Sequence, residues 1–456
     1  MQVFKSLALA FVILQLTLLH MGCGGSSGTT GTSETETTNN PPSPGGDPQI
    51  EPVRTLYVAP DGDDANPGTA ESEFATVEHA LTQLSPGTQI VVREGTYYEG
   101  DLTPPINGTR DQPIWISAEP GAEVIVDGER SRWSFIAFRE NDHHIIEGFE
   151  LKNFKNAGVS TRHSGYITIR NVEAYANGAA GIAMNYADFP HAEYDAHMVV
   201  EDNVCYENGW GDGWASGIHI NNKGQGGENS HHIIRRNVSF NNFDGSDHHT
   251  DGNGIMFDVG GGGSALIENN LVFNNGAAGI QVMDGVGVIQ YNTTYRNGWD
   301  LNNPWQPSEI ELIESHLPDS TIGSVVRGNI MWSRQARADE KDTYRGPFDW
   351  RQLDPQNFVF EDNLMWSDEP SEVPQEEWMV RSVVADPKFV NVATHNQTVS
   401  LLGSTFLQMA LDVYDFALQI DSPAVDAVSA EKGPAHDIAK RQRPAGDGRD
   451  LGAYEN

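Results

Sequence analysis

Cysteine is nearly absent from this chain. Its 456 residues include two, Cys23 and Cys205, too few for a disulfide framework. Basic residues are scarce as well: 28 Lys and Arg stand against 64 Asp and Glu, a formal net charge of -36. A surface so acidic repels nucleic acid and anionic membrane faces, which excludes both as partners. Long apolar runs are confined to one place, Leu7 to Leu19. In the body of the chain the apolar residues alternate with period two, not 3.6, so a helical solenoid is excluded.

The single apolar run follows Lys5 and leads to Met21-Gly22-Cys23. A charged start, an apolar middle and a small residue before cysteine make residues 1–22 an export signal, too short to span a membrane. The segment resembles a bacterial lipobox, with His20 where leucine is usual. The resemblance implies cleavage before Cys23 and lipidation of its sulfur. Residues 23–52 are Gly, Ser, Thr, Asn, Pro and Glu with almost nothing apolar, and are expected to form a disordered tether. The folded body is then 53–456, a monomer exported and lipid-anchored at the outer membrane or cell surface. The anchor is its expected link to a membrane.

That body is repetitive. ITIRNVEAYANG from Ile167 recurs as VVEDNVCYENG from Val199, IIRRNVSFNN from Ile233, ALIENNLVFNNG from Ala265 and VIQYNTTYRNG from Val288. Weaker copies begin at Val325 and Phe358, and an earlier one at His143 has Gly148 in place of asparagine. Aligned on asparagine, the copies fall at 171, 203, 237, 270, 292, 329 and 363, with intervals between 22 and 37 residues. The short intervals are one bare coil and the long ones carry insertions. Each coil is read as two short strands joined by turns, stacked in parallel on its copies. The fold class is therefore all-β, a right-handed parallel β-helix with a short N-terminal capping helix. That helix is read from Val77, Ala80, Leu81 and Leu84 and ends at Pro86-Gly87. Tyr206, Phe240, Phe273, Tyr295, Trp332 and Trp366 lie three places after their asparagines, and are expected to fill the core as an aromatic ladder. The asparagines are expected to bond along a turn column whose tight backbone they tolerate. Cys205 is expected to pack in the core.

After each block comes a strand opening with Gly and an apolar residue, at Gly158, Gly181, Gly217, Gly254 and Gly279. If the residue after Gly points inward, alternation sends Ser160, Ala183, His219, Met256, Gln281 and Glu311 outward in one column. A second outward column is Arg162, Asn185, Asn221, Asp258 and Met283. Insertions cluster beside these strands. One holds Trp210, Asp212 and Trp214; another, FDGSDHHTDGNG, holds Asp244, Asp247, His248, His249 and Asp251; Lys223 follows the His219 strand. Loops gathered on one side of a repeat array build a binding groove. The tryptophans could stack on sugar rings, and the aspartates could hold Ca²⁺ through oxygens.

YVAPDGDDANPGT from Tyr57 and FATVEHALTQLSPGTQIVVREGTYYE from Phe74 resemble the N-terminal segment of secreted parallel β-helix proteins, many of them polysaccharide lyases. SPAVDA at Ser422 and LGAYEN at Leu451 resemble their C-terminal cap, so the resemblance covers residues 55–456. HTDGNGIMFD from His249 resembles motifs of lyases acting on uronic-acid polymers. In the DGNGFKLGG-type pectate lyases a catalytic lysine stands where this chain has Met256, and a thioether cannot abstract a proton. β-Helix alginate lyases, a looser likeness, vary in their base. The resemblance implies an acidic polysaccharide as partner and β-elimination as the reaction. Elimination needs a neutralised carboxylate and a base near neutral pKa. Arg162, Asn185, Asn221 and a Ca²⁺ held by Asp247, Asp251 and Asp258 could neutralise. Lys223, His219 or His249 could be the base, and Tyr186 the acid. Asn185, Asn221, Trp210, Trp214 and Gln281 would line the substrate. A C5-epimerase could use the same residues, a glycoside hydrolase would need a carboxyl pair such as two of Asp251, Asp258 and Glu311, and a glycan-binding or adhesive surface protein would need no base. All stay open on sequence.

Overall fold

The computed structural model describes residues 51–185, 197–211, 214–221, 230–258, 263–300, 302–305, 307–335, 346–350, 353–392, 414–429, 431 and 433–456. Residues 52–456 form one compact unit. Among the described residues three long parallel sheets run the length of the molecule. The first has eleven strands, from Arg54–Val58 to Val359–Glu361, and the second eleven, from Gly95–Tyr97 to Val383–Val384. The third has eight, from Ile136–Arg139 to Phe348–Asp349. Every inter-strand pairing in them joins one coil to the next, which is a parallel β-helix.

Each full coil therefore has three strands, where the repeat suggested two. Each asparagine block contains a corner: Met198–Glu201 belongs to the first sheet and Val204–Tyr206 to the second. The residue that turns this corner has positive φ in coil after coil: Gly148, Asn171, Asp202, Arg236, Asn269, Tyr291, Gly328 and Asp362. The asparagine ladder is the next position, Asn203, Asn237, Asn270, Asn292, Asn329 and Asn363. Each of the first five donates its side-chain amide to the Oδ1 of its successor at 2.9–3.0 Å. Asn171 does not belong to it. Glu173 pairs with Val204, so Val172 holds the ladder position and donates its backbone N–H to Asn203.

A second ladder, not read from the sequence, occupies the next corner. Asn177, Asn208, Asn242, Asn275 and Asn297 bond in the same way, and the series ends on Glu309, which accepts both the backbone and side-chain N–H of Asn297. Burial pushes the Glu309 carboxyl up to about 8.

The aromatic ladder also differs from expectation. In the strand Val204–Tyr206 it is Cys205 that enters the core, where burial raises its thiol pKa, and Tyr206 faces away from it. Tyr175, Tyr206, Phe240 and Phe273 stack nearly parallel at 4.8–5.0 Å on the outer face of the second sheet. They do not fill the interior. Phe273 and Tyr295 are covered by Tyr414 and Phe416, and Trp332 by Phe389. The capping helix is Val77–Leu81, N-capped by the Thr76 hydroxyl, with Val77, Ala80 and Leu81 buried and Leu84 packed against the core.

The Gly-apolar motif opens the third sheet for a steric reason. A Cβ on Gly217 would lie 1.9 Å from Ser239 Oγ, and one on Gly254 2.2 Å from a Val272 methyl. The chain doubles back too closely there for any side chain. Val159, Ile182, Ile218, Ile255 and Ile280 follow, with Ile310 after Glu309 in the same register, and all are fully buried in the core, which fixes the face that their neighbours present.

Candidate functional site

The third sheet presents both outward columns in the predicted register. Ser160, Ala183, His219, Met256, Gln281 and Glu311 pair in sequence, and so do Arg162, Asn185, Asn221, Asp258 and Met283. The columns extend one coil further at each end, to Ala137 and Arg139 before and, in the first column, to Asp349 after. At about 4.8 Å per coil, Arg162 to Asp258 covers roughly 14 Å. Arg162 is exposed and Asn185 and Asn221 are half-buried, whereas the His219 column is buried along its length.

Asn221 donates its side-chain amide to Asp258 Oδ2 at 3.2 Å, and His219 Nε2 lies 4.0 Å from the same oxygen. Asp258 Oδ1 is buried with no hydrogen-bond partner among the described residues, and so is Gln281 Oε1 one coil on. Gln281 donates its amide to Glu311 at 2.8 Å, and burial raises the Glu311 carboxyl to about 8. Met256 is held in place by the Asn253 amide at its sulfur.

The turn from the second to the third sheet at 241–252 is organised by Asp244, which is fully buried. One of its oxygens accepts from Ser246 and the other from the backbone N–H of Thr250 and Asp251, while His248 Nδ1 stands 3.0 Å away. Asp251 is buried beneath this turn and bonded by the Thr250 hydroxyl. Its carboxyl is raised to about 6, mostly by burial and further by the charges of Asp244 and Asp258. His249, at φ 52°, turns the other way. Its Nδ1 meets Asp300 Oδ2 at 3.0 Å, and its side chain stays about a quarter exposed. A ring fixed at one nitrogen by a buried carboxylate presents the other as an oriented proton acceptor.

The expected metal set is not the one brought together. Asp251 groups with Asp244 and His248, their ligand atoms within 4.8 Å of one another, while Asp247 is exposed and outside this group. Ca²⁺ asks for about six to eight oxygens, but this group offers a nitrogen, and both oxygens of Asp244 already serve the turn. The donors do not fit Ca²⁺, and no step is derived through it. Trp210 and Trp214 lie on the preceding turn, both exposed. The Trp210 indole donates to Ala176 O, and the Trp214 ring sits 5.2 Å from that of His248. Lys223, Tyr186 and Cys23 lie outside the described residues.

Asp300 and the organising part of Asp244 were missed in the sequence. Asp300 is 51 residues from His249, and nothing in its local pattern marks it. Asp244 stands in a run of similar aspartates whose closure by Ser246 and Thr250 becomes visible only in the folded turn.

Coils, columns and a built-up turn beside the third sheet are the architecture of a polysaccharide-lyase-like parallel β-helix. Residues 56–227 match the family described as the Pel9A-like, right-handed β-helix region. The chain is 36% identical over 94 residues to the uncharacterised protein YwoF of Bacillus subtilis, a match covering 20% of each. It is 25% identical over 353 residues to pectate lyase L of Paenibacillus polymyxa, covering 66% of this chain and 77% of that one. The crystal structure of pectate lyase Pel9A superposes with a TM-score of 0.53 at 18% identity, over 90% of this chain and 98% of that one. At that identity the likeness is one of fold.

Proposed function

We propose that the protein is a polysaccharide lyase that cleaves a uronic-acid polymer by β-elimination, with His249 as the base. The observation that carries the reading is the His249–Asp300 pair, an oriented and accessible imidazole beside the DGNG turn. Met256 rules out the lysine of the DGNGFKLGG type, so a base must come from elsewhere. The pectate lyase relatives suggest a polyuronate. In this mechanism His249 Nε2 takes the proton beside the sugar carboxylate. That electron pair forms the C=C bond, and the C–O bond to the next sugar breaks. Arg162, Asn185 and Asn221, in the column at the far end of the third-sheet strands, hold carboxylates of neighbouring units. Tyr186 or water returns a proton to the leaving oxygen. Export through residues 1–22 and lipidation at Cys23 complete the reading as a surface-anchored enzyme.

The test incubates the chain lacking residues 1–52 with alginate, polygalacturonate and a neutral glycan, with and without Ca²⁺ and chelator, following ultraviolet absorbance of the unsaturated product. A rise on one polyuronate, lost in His249→Ala, is expected. No rise on either polyuronate, with binding retained, would move the assignment to a glycan-binding protein, the second reading that Met256 favours. Altered uronate composition without unsaturation would identify an epimerase.

A further inference from the structure

Of the ten tryptophans, the four exposed ones, Trp133, Trp210, Trp214 and Trp305, all lie on turns joining the second sheet to the third. Single exposed apolar residues are ordinary. Four on one of three edges, with none exposed on the other two among the described residues, are not scatter. Their spacing is regular. The turn of Trp133 is three coils before that of Trp210 and Trp214, which is three coils before that of Trp305. At about 4.8 Å per coil the rings mark a track of roughly 29 Å.

At the Trp133 end of this edge the charge departs from that of the chain as a whole. Arg130 and Arg132 flank Trp133, and Lys155 lies on the next turn, its N–H bonded to Arg132 O. Arg132 is paired with Glu129. Arg130 instead lies over the Trp210 ring at 4.8 Å, and neither Arg130 nor Lys155 forms an ion pair with a described residue. In a chain of net charge -36 this is a local pairing of cations with exposed indoles.

We propose that this edge is an extended carbohydrate track that runs past the His249 turn and holds an acidic polysaccharide on either side of the reacting unit. Rings spaced about 14 Å apart by polar turns offer stacking faces to separate sugars along one strand. A protein partner would favour one contiguous apolar patch. Arg130 and Lys155 fit carboxylates on the strand near its Trp133 end. The track does not depend on elimination at His249, so either reading can fail alone.

The test uses the full-length chain carrying Trp133→Ala and Trp305→Ala together, neither residue being part of the proposed catalytic set. Affinity electrophoresis in polygalacturonate should show binding weakened about tenfold or more, while affinity for galacturonate trimers stays unchanged. Arg130→Gln with Lys155→Gln should weaken binding to polygalacturonate and leave any binding to a neutral glycan as it was. Urea unfolding establishes that each variant is folded. Unchanged binding of the long polymer by the tryptophan variant would overturn the proposal, as would equal losses on polymer and trimer. Tryptophan-dependent retention of a single-stranded oligonucleotide would assign the edge to another ligand.

Discussion

The first asparagine ladder makes a quantitative prediction, because its interior and its end differ in what they leave behind. Asn237 is fully buried. Its Oδ1 accepts both the backbone and side-chain N–H of Asn203, each at 3.0 Å, and its amide donates to Val200 O and Asn270 Oδ1. Asn237→Ala strands two donors of Asn203 inside a site with no other acceptor for them. Asn270 Oδ1 keeps the backbone N–H of residue 237. At about 1–3 kcal/mol for each of the two buried donors left unpaired, the cost is about 2–6 kcal/mol. Asn203→Ala acts at the end of the ladder. Asn203 Oδ1 accepts one donor, Val172 N–H, so its loss strands that single group and costs about 1–3 kcal/mol. Urea unfolding followed by circular dichroism, at matched m values, should therefore rank Asn237→Ala below Asn203→Ala by more than 1 kcal/mol, a margin of about one stranded donor. Equal losses, or two losses under about 1 kcal/mol, would refute the reasoning and show that the rungs are rescued by solvent or by repacking.

Other consequences can be measured in the same way. His249→Ala and Asp300→Asn should each lower elimination by about 10²-fold or more without moving the urea midpoint, as expected of a general base and the group that orients it. A lower midpoint with proportionate activity would make the pair structural. Glu309 and Glu311 hold protons in the folded chain up to about pH 8, whereas the unfolded chain releases them above the ordinary carboxylate value of 4.5. Stability from these groups is complete below pH 4.5 and is lost as pH rises toward about 8, by a few kcal/mol. Thermal midpoints across that window should fall less in Glu309→Gln than in the parent, and an unchanged slope would count against a buried neutral acid. Gly217→Ala drives a methyl against Ser239 Oγ and the Gly254 carbonyl, and should destabilise by about 1–3 kcal/mol in the same unfolding assay. A neutral result would mean that the corner can open.

The third sheet was the most legible part of the chain. Its strands are long enough for period two to show, and the glycine at each corner fixes the phase, so Ser160 through Glu311 were placed correctly. The second sheet misled because its strands are three residues long. Cys205 and Tyr206 are both apolar, and alternation alone cannot say which faces the core. The outward rings stack on their copies in neighbouring coils, and at Phe273, Tyr295 and Trp332 they are also covered by Tyr414, Phe416 and Phe389 from far along the chain. Asn171 was misplaced by one because a corner residue and a ladder residue can both be asparagine, as Asn269 and Asn270 are. In the candidate site, which aspartate of FDGSDHHTDGNG turns inward is decided by hydrogen bonds from Ser246 and Thr250, and the partner of His249 comes from a turn 51 residues away. Side chains set by regular backbone could be read; those set by loop closure could not.

The second ladder has a direction, and with it a grammar. An asparagine takes a hydrogen bond from the coil before and hands one to the coil after, so any coil between Asn177 and Asn297 could be copied and the sentence would still parse. Glu309 takes two bonds from Asn297 and has no amide to hand on. It is a full stop. Lineages of this protein should therefore vary in length by whole coils inserted before that residue, and a coil copied after it would meet a carboxyl where it needs an amide.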